Sequence, residues 1–179
     1  TQHKRDFEKF RQVMLPLWRH TLQVEWPQSD ARVSFSPLRK GDGFQAATFR
    51  IRGSGNEQEL SGIRYTPAQS NRAGTASPPL VLLVHADGAR PYCDSADNPL
   101  GLARLLLLRG CAVMVITDFT ATPIADPFAN FYTTYNRTLL QHRVRDLLTV
   151  CSSVGRLSLA GGSKPRLVLC GEGRAGLWA

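Results

Sequence analysis

"RLVLCGEGRAGLWA", Arg166 to Ala179, decides how the rest of the chain is read. Leu167, Val168, Leu169 and Cys170 form a short uninterrupted apolar run, the pattern of a parallel strand covered on both faces. Gly171, Gly173 and Gly176 follow in the spacing G-x-G-x-x-G. That spacing fits a loop that lets a pyrophosphate approach the backbone at a helix N-terminus. It also fits a tight strand-to-helix turn whose small residues crowd around a raised central position, here Gly173. The two readings need different surroundings, so the preceding residues arbitrate.

Upstream lie two further apolar runs, "PLVLLVHADG" at 79–88 and "CAVMVIT" at 111–117. Between them, Asn98 and Pro99 read as the N-cap and first residue of a helix over 99–109. That helix carries Leu102, Leu105, Leu106 and Arg109 and stops at Gly110. Thr138 and Gln141 have capping-box spacing. They open a second helix over 138–153, with Leu140, Val144, Leu147, Leu148 and Cys151 as its apolar face. Segments 80–85, 111–117 and 166–170 are therefore expected as adjacent parallel strands, and Gly176 should begin another helix.

The first third has a different rhythm. "DFEKFRQVMLPLWRHTL" places Phe7, Phe10, Met14, Leu17 and Trp18 at helical steps, with a bend or break expected near Pro16. "ARVSFSP" is strand-like, and "GFQAATFRIR" with "EQELSGIRYTP" reads as an antiparallel hairpin with a loop at 53–56. "PAQSNRAGTASPP" is a surface loop by composition. Hairpin first, then strand, helix, strand, helix, strand, indicates an α/β fold with a three-layer sheet.

This order, with the "LVLLVHADG" and "RLVLCGEGRAG" segments in place, resembles the N-terminal half of an α/β hydrolase. More closely it resembles the acetyl-xylan-esterase-like or dienelactone-hydrolase-like branch. The long N-terminal helix, the hairpin, "FYTTYNRTLLQHRVRDLLTV" and "GEGRAGLWA" carry the resemblance, which covers essentially all 179 residues. It implies a helical segment at 1–30 and a partial α/β hydrolase domain at 31–179, incomplete at the C-terminus. It also implies carbohydrate-ester chemistry without a cofactor or metal, and a secreted or periplasmic location.

Carried over residue by residue, Gly171, Ala175 and Gly176 supply the small positions of the nucleophile elbow, and Gly173 falls on the nucleophile. Glycine cannot form an acyl-enzyme. Arg174 stands where some carbohydrate esterases place an arginine facing the oxyanion; a surface arginine at a helix start is the alternative. His85, Ala86, Asp87 and Gly88 occupy the oxyanion loop, whose amides would stabilise a tetrahedral oxygen. Taken alone, His85 reads as a structural histidine and Asp118 as a cap of the following turn. Neither His3, His20 nor His142 is marked for catalysis. Glu172 at the tip would put Arg174 on a small position, Cys170 belongs to the strand, and Ser163 lies at its other end.

The hydrolase order takes the acid and histidine from loops after later strands. The resemblance therefore implies a complementary C-terminal segment, in the same protein or a separate chain, and a carbohydrate ester as ligand. Two functions stand side by side: an esterase relying on that segment and on unconventional chemistry, or a non-catalytic binding or structural domain. A dinucleotide-binding domain ranks behind both, because an acidic residue about 20 positions after the glycines is part of that fingerprint.

Composition narrows the field. The chain is 42% hydrophobic and 20% charged, as one globular domain would be, and its longest apolar run is strand-sized. No membrane span is expected. A net charge of +8 is spread over many elements without a zinc-finger spacing or basic helix, so no nucleic-acid partner is expected. Cys93, Cys111, Cys151 and Cys170 lack metal or redox spacing; Cys111, Cys151 and Cys170 read as small core residues, and Cys93 as a loop residue open to solvent. The chain opens at Thr1 without a signal-like stretch, as a processed or trimmed chain would.

Overall fold

A computed structural model describes residues 2–22, 31–52, 59–68, 78–119, 138–154 and 166–179. Helix α1 runs Gln2–Leu22. Strands β1 (Arg32–Phe35), β2 (Arg39–Lys40), β3 (Phe44–Arg52) and β4 (Leu60–Pro67) follow. The remainder alternates: β5 (Leu80–Val84), α2 (Gly101–Leu108), β6 (Ala112–Asp118), α3 (Leu139–Val154), β7 (Leu167–Gly171) and a 3-10 turn, Gly173–Leu177. The surface-loop segment 69–77 and the hairpin loop at 53–58 lie outside the described residues.

All strands join one sheet in the order β1-β3-β4-β6-β5-β7, with β2 also on β3. The β3–β4 hairpin is antiparallel, as its alternating pattern requires, and β4 meets β6 antiparallel. β5 pairs parallel with β6 on one side and with β7 on the other. Strand β5 is buried at every residue because both of its faces are covered. Leu80, Leu82 and Val84 face a cluster with Leu147, Val150 and Val154 of α3 and with Ala175. Val81 and Leu83 face Ala103 and Leu107 of α2, with Ala89 and Tyr92. The result is a three-layer α/β sheet, helix on sheet on helix.

Tertiary packing shifts several local expectations. α1 continues through Pro16 without a break, since one proline removes one ladder bond and leaves the turns on both sides intact. Its apolar side chains are largely exposed among the described residues, Phe7 and Phe10 at about 60%. Asn98 does not cap α2. Its backbone N–H (2.8 Å) and side-chain amide (3.0 Å) are both held by the Asp94 carboxylate. The helix instead starts at Gly101 behind Leu100, which provides no side-chain cap. The buried face of α2 is Ala103 and Leu107, whereas Leu102 and Leu105 are exposed. Its C-terminal end is as expected: Gly110 sits at φ +80°, and the Gly110 and Cys111 amides reach back to Leu107 and Leu106.

In α3 the capping box forms. The Thr138 N–H donates to Gln141 Oε1 (2.6 Å) and the Gln141 N–H donates to Thr138 Oγ1 (3.2 Å). The deepest residues of α3 are Leu147, Val150 and Val154, with Asp146 and Ser153 beside them. β7 is only partly buried, with Val168 at 44% exposure, because among the described strands it has a neighbour on one side only. The helix expected from Gly176 is a short 3-10 turn that begins earlier, at Gly173.

Candidate functional site

The connections out of β5 and β6 move across the sheet in opposite directions. From β5 the chain passes through α2 to β6; from β6 it passes through α3 back across β5 to β7. Right-handed crossovers that travel opposite ways must lie on opposite faces, which is where α2 and α3 are. After β7 the chain turns to the α3 face, where Ala175 is buried, and after β5 it turns to the α2 face, where Ala89 and Tyr92 are buried, so a switch-point crevice is expected between these two strand ends. In open α/β sheets such a switch point is where ligands bind.

Both sequence-derived motifs border this crevice. Val84, the last residue of β5, lies opposite Gly171, the last of β7. The ladder extends one bond further, from the Glu172 N–H to the Val84 carbonyl (3.0 Å). The chain then turns sharply at Gly173, which has φ +59°. That left-handed conformation is the strained geometry of an elbow tip, and a Cβ placed there would meet nothing within 4 Å. Gly171 has no such room: an ideal Cβ would come 2.5 Å from the Ala175 carbonyl oxygen. Gly171 is thus required by contact, whereas a Cβ at Gly176 would sit 3.5 Å from the Gly171 carbonyl oxygen, an ordinary contact, and Ala175 is fully buried beneath the turn. Arg174 is exposed.

The turn after β5 is equally constrained. The Gly88 N–H donates to the His85 carbonyl (3.1 Å), and the Asp87 N–H donates to His85 Nδ1 (3.1 Å). The second bond puts the ring proton of a neutral His85 on Nε2. Two of the four candidate oxyanion amides, those of Asp87 and Gly88, are therefore committed within the turn, which leaves those of His85 and Ala86. Gly88 is buried at φ +69°, and a Cβ there would come 2.6 Å from the Thr117 carbonyl oxygen, so the turn is pressed onto the end of β6. Asp118 is exposed and accepts a bond from Ser61 Oγ (2.7 Å); the turn it is expected to cap lies outside the described residues. With Asp87, Arg90, Cys93, Asp94 and Thr117 it lines an open cleft of about 640 Å³ beside the crevice.

One residue of this region carries no sequence signal. Tyr92 is 1% exposed, and its hydroxyl donates to Glu172 Oε2 (3.0 Å), with the Val84 carbonyl at 3.4 Å as the weaker alternative. Burial, then the Glu172 carboxylate, push the Tyr92 phenol well above its ordinary range. Its ring stands edge-on to His85, centroids 6.3 Å apart. Tyr92 and Glu172 are 80 residues apart in sequence, and no local pattern connects them. Among the described residues no group of three metal-ligating side chains occurs, and no helix is long and apolar enough to cross a membrane.

No protein-family model matches this sequence, and the search of curated proteins yields no match. Solved structures do match in fold. One is a candidate acetyl xylan esterase from Bacteroides fragilis NCTC 9343, with a TM-score of 0.70 at 10% identity. The match covers 97% of this chain and 49% of that one. The fold is thus α/β hydrolase-like, and the chain spans about half the length of the structure it matches. At this identity the likeness concerns the fold alone.

Proposed function

We propose that this chain is a hydrolase-fold domain of carbohydrate-esterase descent that binds a carbohydrate ester at the β5–β7 crevice without forming an acyl-enzyme itself. One observation supports this reading: the turn after β7 has the left-handed tip and the close-packed preceding glycine, Gly171, that an elbow needs, and its tip is Gly173, which has no nucleophile. His85, Ala86, Asp87, Gly88 and Arg174 border the ligand, with the His85 and Ala86 amides as the donors left for an ester oxygen. The likeness to a candidate acetyl xylan esterase supports the ligand class. A complementary segment, attached or separate, pairs with the open side of β7.

The alternative is a working esterase in which that segment supplies acid and base. Calorimetric titration with acetylated and deacetylated xylo-oligosaccharides, alongside acetate release, separates the two. The expected result is saturable binding that depends on the acetyl group, with no turnover. Absence of binding would overturn the proposal, and turnover would establish the esterase. The Gly173→Ser variant should remain a poor esterase, because an oxyanion site without a base and an orienting acid gives only residual catalysis.

A further inference from the structure

The elbow tip and the turn after β5 leave the sheet on opposite faces. One side-chain contact spans them. Tyr92 is anchored below the crevice: its N–H donates to the Ala89 carbonyl (2.8 Å), and its carbonyl accepts from the Leu100 N–H (2.8 Å). From that floor its hydroxyl holds the Glu172 carboxylate, one residue before Gly173. The Glu172 backbone is meanwhile fixed to β5 through the Val84 carbonyl. Glu172 is exposed as a residue, and among the described residues this bond is what holds its carboxylate against Tyr92.

We propose that Tyr92 is a positioning residue for the crevice: with the Glu172 backbone already fixed to β5, its hydroxyl orients the Glu172 side chain beside the elbow and keeps that negative charge off the tip. The inference builds on the proposed binding site, but its test needs no ligand. Failure of ester binding and failure of the tether are therefore separate results.

The test places a thiol at the tip with Gly173→Cys, for which the contact geometry has space, and follows its alkylation by iodoacetamide across pH. With the tether intact the carboxylate faces Tyr92. When Tyr92→Phe is added to Gly173→Cys, the carboxylate is released toward the thiol and disfavours the thiolate. The alkylation midpoint should rise by roughly half a pH unit, an order expected of one solvated like charge nearby. Adding Glu172→Gln to that double variant should bring the midpoint back, since the charge is gone while the side-chain shape is kept. A purely structural hydrogen bond would alter melting temperature in Tyr92→Phe but leave the midpoint unmoved. An unmoved midpoint in a folded Tyr92→Phe variant, or a rise that survives Glu172→Gln, overturns the proposal. If Tyr92→Phe does not fold, Glu172→Ala against Glu172→Gln serves instead, each combined with Gly173→Cys. Gln, which can still accept from Tyr92, should preserve the rate at which bulky maleimides alkylate the introduced thiol, and Ala should raise it several-fold; equal rates overturn the proposal.

Discussion

Gly171 and Gly173 stand two residues apart and tolerate side chains very differently. At Gly173 a methyl group meets open space and only the left-handed backbone opposes it. Gly173→Ala should therefore cost about 1 kcal/mol. At Gly171 the methyl group would strike the Ala175 carbonyl, an immobile backbone atom. Gly171→Ala should cost roughly 2–4 kcal/mol by overpacking, and urea unfolding of the two variants measures the difference. The same contacts argue against a pyrophosphate at these glycines. The turn is a 3-10 segment of five residues, too short to present the N-terminus of an α-helix to a phosphate. NAD or FAD should leave the melting temperature unchanged; a saturable rise that Gly173→Val removes would restore the dinucleotide reading.

Two short elements owe their shape to side-chain bonds that single substitutions can remove. Thr138 and Gln141 satisfy each other's backbone amides at the start of α3. Thr138→Ala should lower stability by about 1 kcal/mol, read from the denaturation midpoint. The loop into α2 depends on Asp94 instead. Its carboxylate accepts from the Asn98 N–H, the Asn98 side chain and the Ala96 N–H, bonds that hold its pKa below the ordinary 3.8. A depressed folded value means that the contribution is complete above the unfolded carboxylate range and is lost as pH falls through the folded value. Melting temperature followed from pH 5 to pH 2 should show an acid limb that Asp94→Asn flattens; an identical limb in the variant would remove the loop from the account. Arg39 reinforces this loop by donating to the Asp97 carbonyl (2.6 Å) and Asn98 Oδ1 (3.2 Å).

Across the molecule, the two faces of the sheet are covered unequally along its width. β5 and β6 are buried between α2 and α3, whereas Val168 of β7 and Leu177 just after it are open, the latter at 82%. A flat apolar strand edge invites pairing with another chain. The isolated chain should therefore associate as its concentration rises, and Val168→Lys should shift sedimentation toward the smallest species without changing the fold. Monomeric behaviour of the unsubstituted chain at high concentration would show that this edge is not adhesive.

Local sequence patterns specify the elements and their order. Continuous apolar runs at β5 and β6, alternation in β3 and β4, the Thr138–Gln141 box and the Gly110 stop survive into the fold because neighbours along the chain express them. The tight turn after β7 is legible for the same reason, since Gly171 and Gly173 stand two residues apart at the strand end. Which face of α2 is buried is not legible: Leu102, Leu105 and Leu106 are as apolar as Leu107, and only the position of the sheet selects Ala103 and Leu107. Asn98 has the chemistry of a cap, but Asp94, four residues earlier, claims it. The meeting of Tyr92 with Glu172 belongs wholly to tertiary structure. It exists because β7 pairs beside β5 rather than beside β6, a choice made by crossover handedness and helix packing over the whole sheet, and no spacing along the chain encodes it.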